Sequence, residues 1–433
     1  MQTFIWNDLS GEQRADVLKR PQIQNDGQVE KSAQGIINAV RDFGDKSIRE
    51  LGKKFDGCDL IDLQLSEEEV ELAINSISAS NKKAIDTAYA TIKKFHEAQG
   101  YQNYDLETIE GAICGRRVVA IENVGLYVPG GTAPLVSTAL MNGIPSQIAG
   151  CKNRILCTPC NKDGIVDPHL IYAATICGIT KIYKIGGAQA IAAMAYGTET
   201  VPKVDKIFGP GNAYVTVAKK LVAMDVNGAA LDMPAGPSEV CVIADKDSNP
   251  AYVAADLLSQ AEHDVMSQVL FITTSVEIAE ATKVEVGKQL ADLSRKDIAS
   301  QAIENSIMVV TDTVEAAVEV SNQYAPEHLI LAFEASDNIL DNIQNAGSVF
   351  VGKWTPESAG DYCSGTNHVL PTNGYAKNYS GLNVEAFQKT ITFQKLEQKG
   401  LSNLSDTIQT LAHLEGLDAH ANAVVIRMKD VFS

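Results

Sequence analysis

Three polar groupings have residue types and spacings that chemistry can use. Asp256, Gln260 and His263 fall at i, i+4 and i+7 of one apparent helix, so the Gln260 amide and the His263 imidazole, one turn apart, can converge on a single ion. Glu327 and His328 adjoin each other at the entrance to an apolar run. Strand alternation would send them to opposite faces, but a turn just before the strand lets an acid and a base share a pocket. Asp361 and His368 lie in the stretch 347–372, GSVFVGKWTPESAGDYCSGTNHVLPT, which begins as a strand and then runs about twenty residues with no helical or strand period. Its apolar content, including Phe350, Trp354, Tyr362 and Leu370, is that of packed chain, so it reads as an ordered site loop. Each grouping also has an ordinary reading: a solvated helix face, a proline turn with charged neighbours, and a turn-capping aspartate beside a satisfied histidine.

The elements that must position these groups follow from periodicity. A chain of 433 residues exceeds one ordinary core and divides into domains. Residues 1 to about 105 carry mostly helical patterns, at 29–43, at 66–77 and at 78–99, with Gly44 between helices and His96 near a polar helix end, where it reads as a solvated surface residue. From about 112, short apolar strands alternate with glycine turns and helices, the mark of βα units and parallel sheets. The first strand is expected over 118–128, and a helix near Ala133. The turns PGGTAP, GGAQAI and GPGNAY sit at strand ends, where helix N-termini favour phosphate, though none matches GxGxxG and simple tight turns also account for them.

A second α/β half begins near LDMPAGPSEVCVIAD. It has strands at 239–244, 268–273, 308–310 and 329–333, a helix from Pro250 through His263, and a helix over 314–323 opened by an Asp312/Glu315 pair. After about 385 the pattern reads as helical again, with Ser405 or Asp406 capping a helix that turns Ile408, Leu411 and Leu414 inward. So short a tail needs a partner surface, and a homo-oligomer would supply one.

Composition narrows the class. Apolar content of 45% and charged content of 21% are globular values, while a formal charge of -18 opposes nucleic-acid binding. The start, MQTFIWNDLSGEQRADVLKR, has no apolar core or cleavage site of a secretory leader, and no later run reaches bilayer-spanning length. A cytoplasmic location is expected. The eight cysteines are scattered, and Cys157 and Cys160 have CxxC spacing with no second pair to complete a zinc site.

In order and spacing, DMPAGPSEV (232–240), LLSQAEH (257–263), NQYAPEHL (322–329) and SAGDYCSGTNHVLPT (358–372) resemble the histidinol dehydrogenase family over nearly the whole chain. That resemblance implies two incomplete Rossmann-like α/β domains with helical N- and C-terminal segments. The divisions are 1–110 as a helical region, 111–237 as the NAD-binding half, 238–384 as the half carrying zinc and substrate, and 385–433 as a dimer-forming tail. It implies oxidation of L-histidinol to L-histidine through L-histidinal with two NAD reduced, at the end of histidine biosynthesis, in a homodimer with shared sites and one Zn2+ per subunit. The implied zinc ligands are Gln260, His263, Asp361 and His420. Substrate would also meet Ser238, His328 and Glu415, and Glu327 and His328 would be the acid–base pair. NAD would meet Tyr127, Gln189 and Asn212. His368 is left a supporting role, and Cys363 stands where the family often has a smaller residue. Taken without the resemblance, the same ligands would also serve a zinc hydrolase or a binding protein that never turns over.

Overall fold

A computed structural model, which describes residues 1–20, 26–130 and 135–431, opens on a strand where helix was expected. β1 (Gln2–Ile5) pairs in parallel with a distant segment, Gln2 opposite Ile307, and four residues are too few to display a period. α1 (Gly11–Val17) starts at a Ser10/Gln13 capping box. α2 (Asp26–Phe55) is interrupted at Gly44, as expected. Gly44 has φ 51°, and a Cβ there would strike the Glu199 carboxylate, which accepts the Asp45 N–H at 2.8 Å. α3 (Glu67–Ser76) and α4 (Ala79–His96) follow. His96 is fully buried, not solvated: its Nδ1–H donates to the Ile92 carbonyl at 2.8 Å and its Nε2 meets Asn367 Nδ2 at 3.3 Å. The segment that seals it is some 270 residues further on, beyond the reach of a local pattern.

The expected strand 118–128 is two strands in different sheets. β2 (Tyr104–Ile109) and β3 (Ala112–Ala120) form an antiparallel hairpin, and β4 (Asn123–Tyr127) begins a parallel sheet. Along the chain come α5 (Val136–Ala149), β5 (Asn153–Thr158), α6 (Pro168–Ile176), β6 (Lys181–Lys184), α7 (Gly187–Tyr196), β7 (Lys206–Phe208), α8 (Ala213–Met224) and β8 (Ala230–Leu231). The helix start expected near Ala133 lies outside the described residues. The strand order β6-β5-β4-β7-β8, all parallel, is that of a mononucleotide-binding half, and it reverses between β4 and β7.

The second half repeats this winding. It contains β9 (Glu239–Ala244), α9 (Pro250–Ala261), β10 (Gln268–Thr273), α10 (Val276–Leu290), α11 (Lys296–Glu304), β11 (Ile307–Val310), α12 (Val314–Tyr324), β12 (His328–Leu331), α13 (Asp337–Asp341), β13 (Ser348–Val351) and α14 (Glu357–Tyr362). Its order is β1-β11-β10-β9-β12-β13. Both faces of β9 are buried, Val240 and Val242 in one core and Cys241 and Ile243 in the other. Each buried Val or Ile contributes about 1.5–3 kcal/mol. Several details differ from expectation. α9 ends at Ala261, so His263 lies just past the helix. The cap of α12 is Thr313, whose hydroxyl accepts the Ala316 N–H, and not Asp312. The loop expected to be irregular contains α14, six residues long and too short to show a period.

Apart from the β2–β3 hairpin, these elements belong to one compact unit, Met1–Ala98 with Glu122–Val384. The other unit is Gln99–Ile121 with Glu385–Ser433. Here the segment read as helical begins with a strand, β14 (Gln388–Leu396), antiparallel to β3 with Thr390 opposite Val118. α15 (Gln398–Leu414) runs unbroken through Ser405, so neither Ser405 nor Asp406 caps it, and α16 (Asp418–Val431) follows. Gly400, Ser405 and Ala412 form its buried stripe, leaving Leu411 54% and Leu414 78% exposed rather than turned inward. The architecture is α/β with two incomplete Rossmann-like halves, as expected. No helix of the described residues is long and apolar enough to cross a membrane.

Candidate active site

His328 opens β12 and is buried. Its Nδ1 lies 3.1 Å from the Glu239 carbonyl, an acceptor, which assigns that nitrogen its proton. Nε2 faces only Asp361 Oδ1, 3.5 Å away and beyond normal hydrogen-bond length. Two more carboxylates approach Nδ1, Glu357 at 3.6 Å and Glu327 at 3.7 Å. Burial alone would lower the His328 pKa, but Glu357, Glu327 and Asp361 together hold it up at about 10. Burial pushes Glu327 up to about 7 against the pull of His328, and Glu357 likewise to about 8. Asp361 moves the other way. Burial opposes its ionisation, but the His328 contact and the nearby His368 and His263 hold it below the usual carboxylate range.

The backbone of Glu239 binds both members of the acid–base candidate pair. Its carbonyl takes His328, and its N–H donates to Glu327 Oε2 at 2.8 Å. The Gln260 amide, buried at the end of α9, is satisfied at both ends with its nitrogen toward Glu357 Oε1 and its oxygen 2.9 Å from the Glu239 N–H. His263 stands at the exposed rim, packed closely enough that desolvation lowers its pKa, with Asp361 and His328 within electrostatic reach. Ser238 directly precedes β9 and is half-buried. The cluster whose ligand atoms lie within 4.8 Å of one another is His328, Glu357 and Asp361. It shares only Asp361 with the implied zinc set.

The donor chemistry suits a borderline dication such as Zn2+: carboxylate, amide and imidazole groups with negative charge in excess. A cation held by Asp361, Gln260 and His263 would also offset the carboxylates that keep His328 protonated. Glu415 and His420 are exposed and belong to the smaller unit, at the end of α15 and within α16.

Tyr127, Gln189 and Asn212 line one cavity of about 1240 Å³ in the first half. Tyr127 ends β4, Gln189 lies in the first turn of α7 after β6, and Asn212 caps α8 after β7, so Tyr127 and Asn212 flank the point where the strand order reverses. The buried Tyr127 hydroxyl accepts the Gly187 N–H at 2.9 Å, and burial raises its pKa to about 12, so it remains a phenol able to donate. Asn212 Oδ1 caps α8 by accepting the Val215 N–H at 3.2 Å, which leaves its amide N–H groups for other partners. Gly209 has φ 114°, and a Cβ there would strike the Tyr127 carbonyl. The Asp232 carboxylate accepts the Gly209 N–H at 2.8 Å, and Lys219, paired with Asp232, donates to the Gly209 carbonyl at 2.9 Å.

A polar chain joins α5 of this half to Asp361. Asn367 Nδ2 donates to the Met141 carbonyl at 2.8 Å, His368 Nε2 meets Thr138 Oγ1 at 3.2 Å, and His368 Nδ1–H donates to the Asp361 carbonyl at 2.9 Å. Residues given no role from sequence now stand in or against the site: Glu357, Glu239 and, bound to Glu239, Arg20. Glu357 and Asp361 are i and i+4 on α14, a spacing hidden in a stretch without visible period. The CxxC pair separates, with Cys157 buried in β5 and Cys160 beside Cys58.

Comparison with known proteins adds an independent line. The histidinol dehydrogenase family profile matches residues 18–428. A histidinol dehydrogenase of Pseudoalteromonas translucida is 51% identical over 426 residues, 98% of each chain. One from Bacteroides thetaiotaomicron is 50% identical over 419 residues, 97% of each. The crystal structure of histidinol dehydrogenase from Elizabethkingia anophelis superposes with a TM-score of 0.96 at 49% identity, covering 100% of this chain and 99% of the other. The hydrolase reading finds no support in these comparisons.

The His368 bridge makes a stability prediction. His368→Phe leaves the Asp361 carbonyl and the Thr138 hydroxyl without that partner, and urea unfolding is expected to show a loss of about 1–3 kcal/mol. An unchanged midpoint would mean that the bridge contributes nothing.

Proposed function

The chain belongs to the histidinol dehydrogenase family, and on that premise we propose that it oxidises L-histidinol to L-histidine through L-histidinal, reducing two NAD, as the last steps of histidine biosynthesis. The observation that carries this reading is the pairing of His328 and Glu327 on one backbone residue, Glu239. When bound, NAD would supply the hydride acceptor, and one Zn2+ per subunit would supply a Lewis acid suited to orienting an amino alcohol. Gln260, His263, Asp361 and His420 would hold the zinc, and Ser238, His328 and Glu415 would contact substrate. Tyr127, Gln189 and Asn212 would hold NAD, supported by the cavity they line.

His328 takes the hydroxyl proton in the first oxidation. Its Nδ1–H is committed to the Glu239 carbonyl, so Nε2 is the nitrogen left to act as base once the surrounding carboxylates are offset. The aldehyde then needs a water added before a second hydride can leave. Glu327, with a pKa raised by burial to about 7, can take a proton from that water near neutral pH. Asp361, held ionised, stays an acceptor and ligand throughout.

Glu415 and His420 would reach the site from a second copy of the chain, making a homodimer with shared sites. Their exposure, with that of Leu411 and Leu414 nearby, supports this assignment. A cytoplasmic location accords with a biosynthetic role.

The primary test is NADH absorbance with limiting L-histidinol and excess NAD. Two NADH per histidinol, abolished by a chelator and restored by Zn2+, is expected; none from folded, zinc-loaded protein would overturn the reading. Glu327→Gln keeps the side chain's shape and is expected to slow oxidation of supplied L-histidinal by roughly 10²–10⁴-fold while sparing the alcohol step, measured by stopped-flow. Wild-type aldehyde oxidation in that variant would remove Glu327 from the water step. For the shared site, inactive His420→Ala and His328→Ala chains are unfolded, mixed and refolded together. Partial activity in the mixture is expected, and none in demonstrated mixed dimers would place each site within one chain.

A further inference from the structure

Arg20 follows α1, far in sequence from every residue assigned to catalysis, yet its guanidinium gathers three segments of the site. Nε and Nη2 engage both oxygens of the Glu239 carboxylate, Nη2 at 2.9 Å from Oε2. Nη2 also donates to the carbonyls of Tyr324 at 2.9 Å and Ala325 at 3.3 Å, and the plane lies over the Tyr324 ring, 3.9 Å from its centroid. Glu239 Oε1 in turn accepts the Asn373 N–H at 3.0 Å. One side chain therefore ties the first residue of β9 to the corner between α12 and β12, and through Glu239 to the end of the site loop. A planar fork with five donors can do this, and an ammonium cannot.

The corner it grips is strained. Ala325 has φ 55° and ψ 70°, a left-handed conformation that is unfavourable for a residue carrying a Cβ. Two and three residues later come Glu327 and His328, and both are hydrogen-bonded to the backbone of Glu239, the residue whose side chain Arg20 clamps. A shift of the Glu239 backbone acts directly on the Glu327 carboxylate and the His328 ring, which it hydrogen-bonds, and a shift of the corner passes along the chain to both residues. Glu239 is 3% exposed, and a buried ion pair is a weak source of net stability compared with apolar residues of like volume.

We propose that Arg20, acting through Glu239, is a positioning residue that sets the geometry of the Glu327–His328 pair. The inference rests on the dehydrogenase reading given above. Two variants test it, each assayed for steady-state kinetics with L-histidinol and NAD and for thermal unfolding. Arg20→Lys keeps a positive charge against Glu239 but loses the fork. Arg20→Met combined with Glu239→Gln removes both charges at similar volume, so no unpaired charge is left buried. The expected result for folded protein is a kcat lower by roughly 10- to 100-fold with KM for histidinol within about threefold of wild type, because the pair is misaligned while Ser238, Glu415 and the residues assigned to zinc are left unchanged.

A kcat within about twofold of wild type in either folded variant overturns the proposal. So does a kcat loss matched by an equal loss of folded protein, or failure of both variants to fold, since either makes the pair a stability element only. Wild-type protein that forms no NADH from histidinol sinks the dehydrogenase reading instead, and the parallel wild-type assay separates the two failures.

Discussion

The site depends on burying several carboxylates around one imidazole. Glu327, Glu357 and Asp361 converge on His328 in a protein interior where unpaired charge is costly, and His328 is the cation they share. The arrangement divides the carboxylates by environment. Glu327 and Glu357 sit where burial favours the neutral acid, while Asp361 is kept ionised by the histidines facing it. One fold thereby presents carboxyl groups whose proton affinities are pushed in opposite directions a few ångströms apart, a separation suited to two roles at one pH.

Much of the second half serves to hold that cluster. The Glu239 backbone binds Glu327 and His328, Gln260 bridges toward Glu357, and His368 holds the Asp361 carbonyl while resting on Thr138 of the first half. The two halves share a strand order but use opposite ends of their sheets. In the first, Tyr127 and Asn212 stand at the carboxyl ends of β4 and β7 at the switch in strand order, the usual place for a nucleotide, with Gln189 beyond the outer strand β6. In the second, Ser238, Glu327 and His328 stand at the amino ends of β9 and β12. A strand's amino end presents the turn leading into it, and here such turns bring adjacent residues together that alternation within a strand would have parted.

Local pattern carried the α/β alternation and the break at Gly44, because each is a matter of periodicity or of backbone freedom within a few residues. Long motifs carried the family, since DMPAGPSEV and SAGDYCSGTNHVLPT are too extended to recur by chance. Pattern failed where elements were short or their partners remote. β1 and α14 fall below the length at which a period shows, and β14 was absorbed into the helical tail although KTITFQK alternates. His96 looked like the polar end of a surface helix because nothing near it in sequence reveals that Asn367 closes over it.

By itself the sequence determined the class of fold, the family and the groups able to do chemistry, all properties of residue type and near spacing. Tertiary structure alone decided which of those groups share an environment. Glu357 joined His328, Glu239 became the residue whose backbone binds both Glu327 and His328, and Arg20 reached Glu239 across 219 positions of chain. The physical reason is that burial and charge pairing depend on distance in space, and strands far apart in sequence are brought together only when both sheets have wound and their cores have closed.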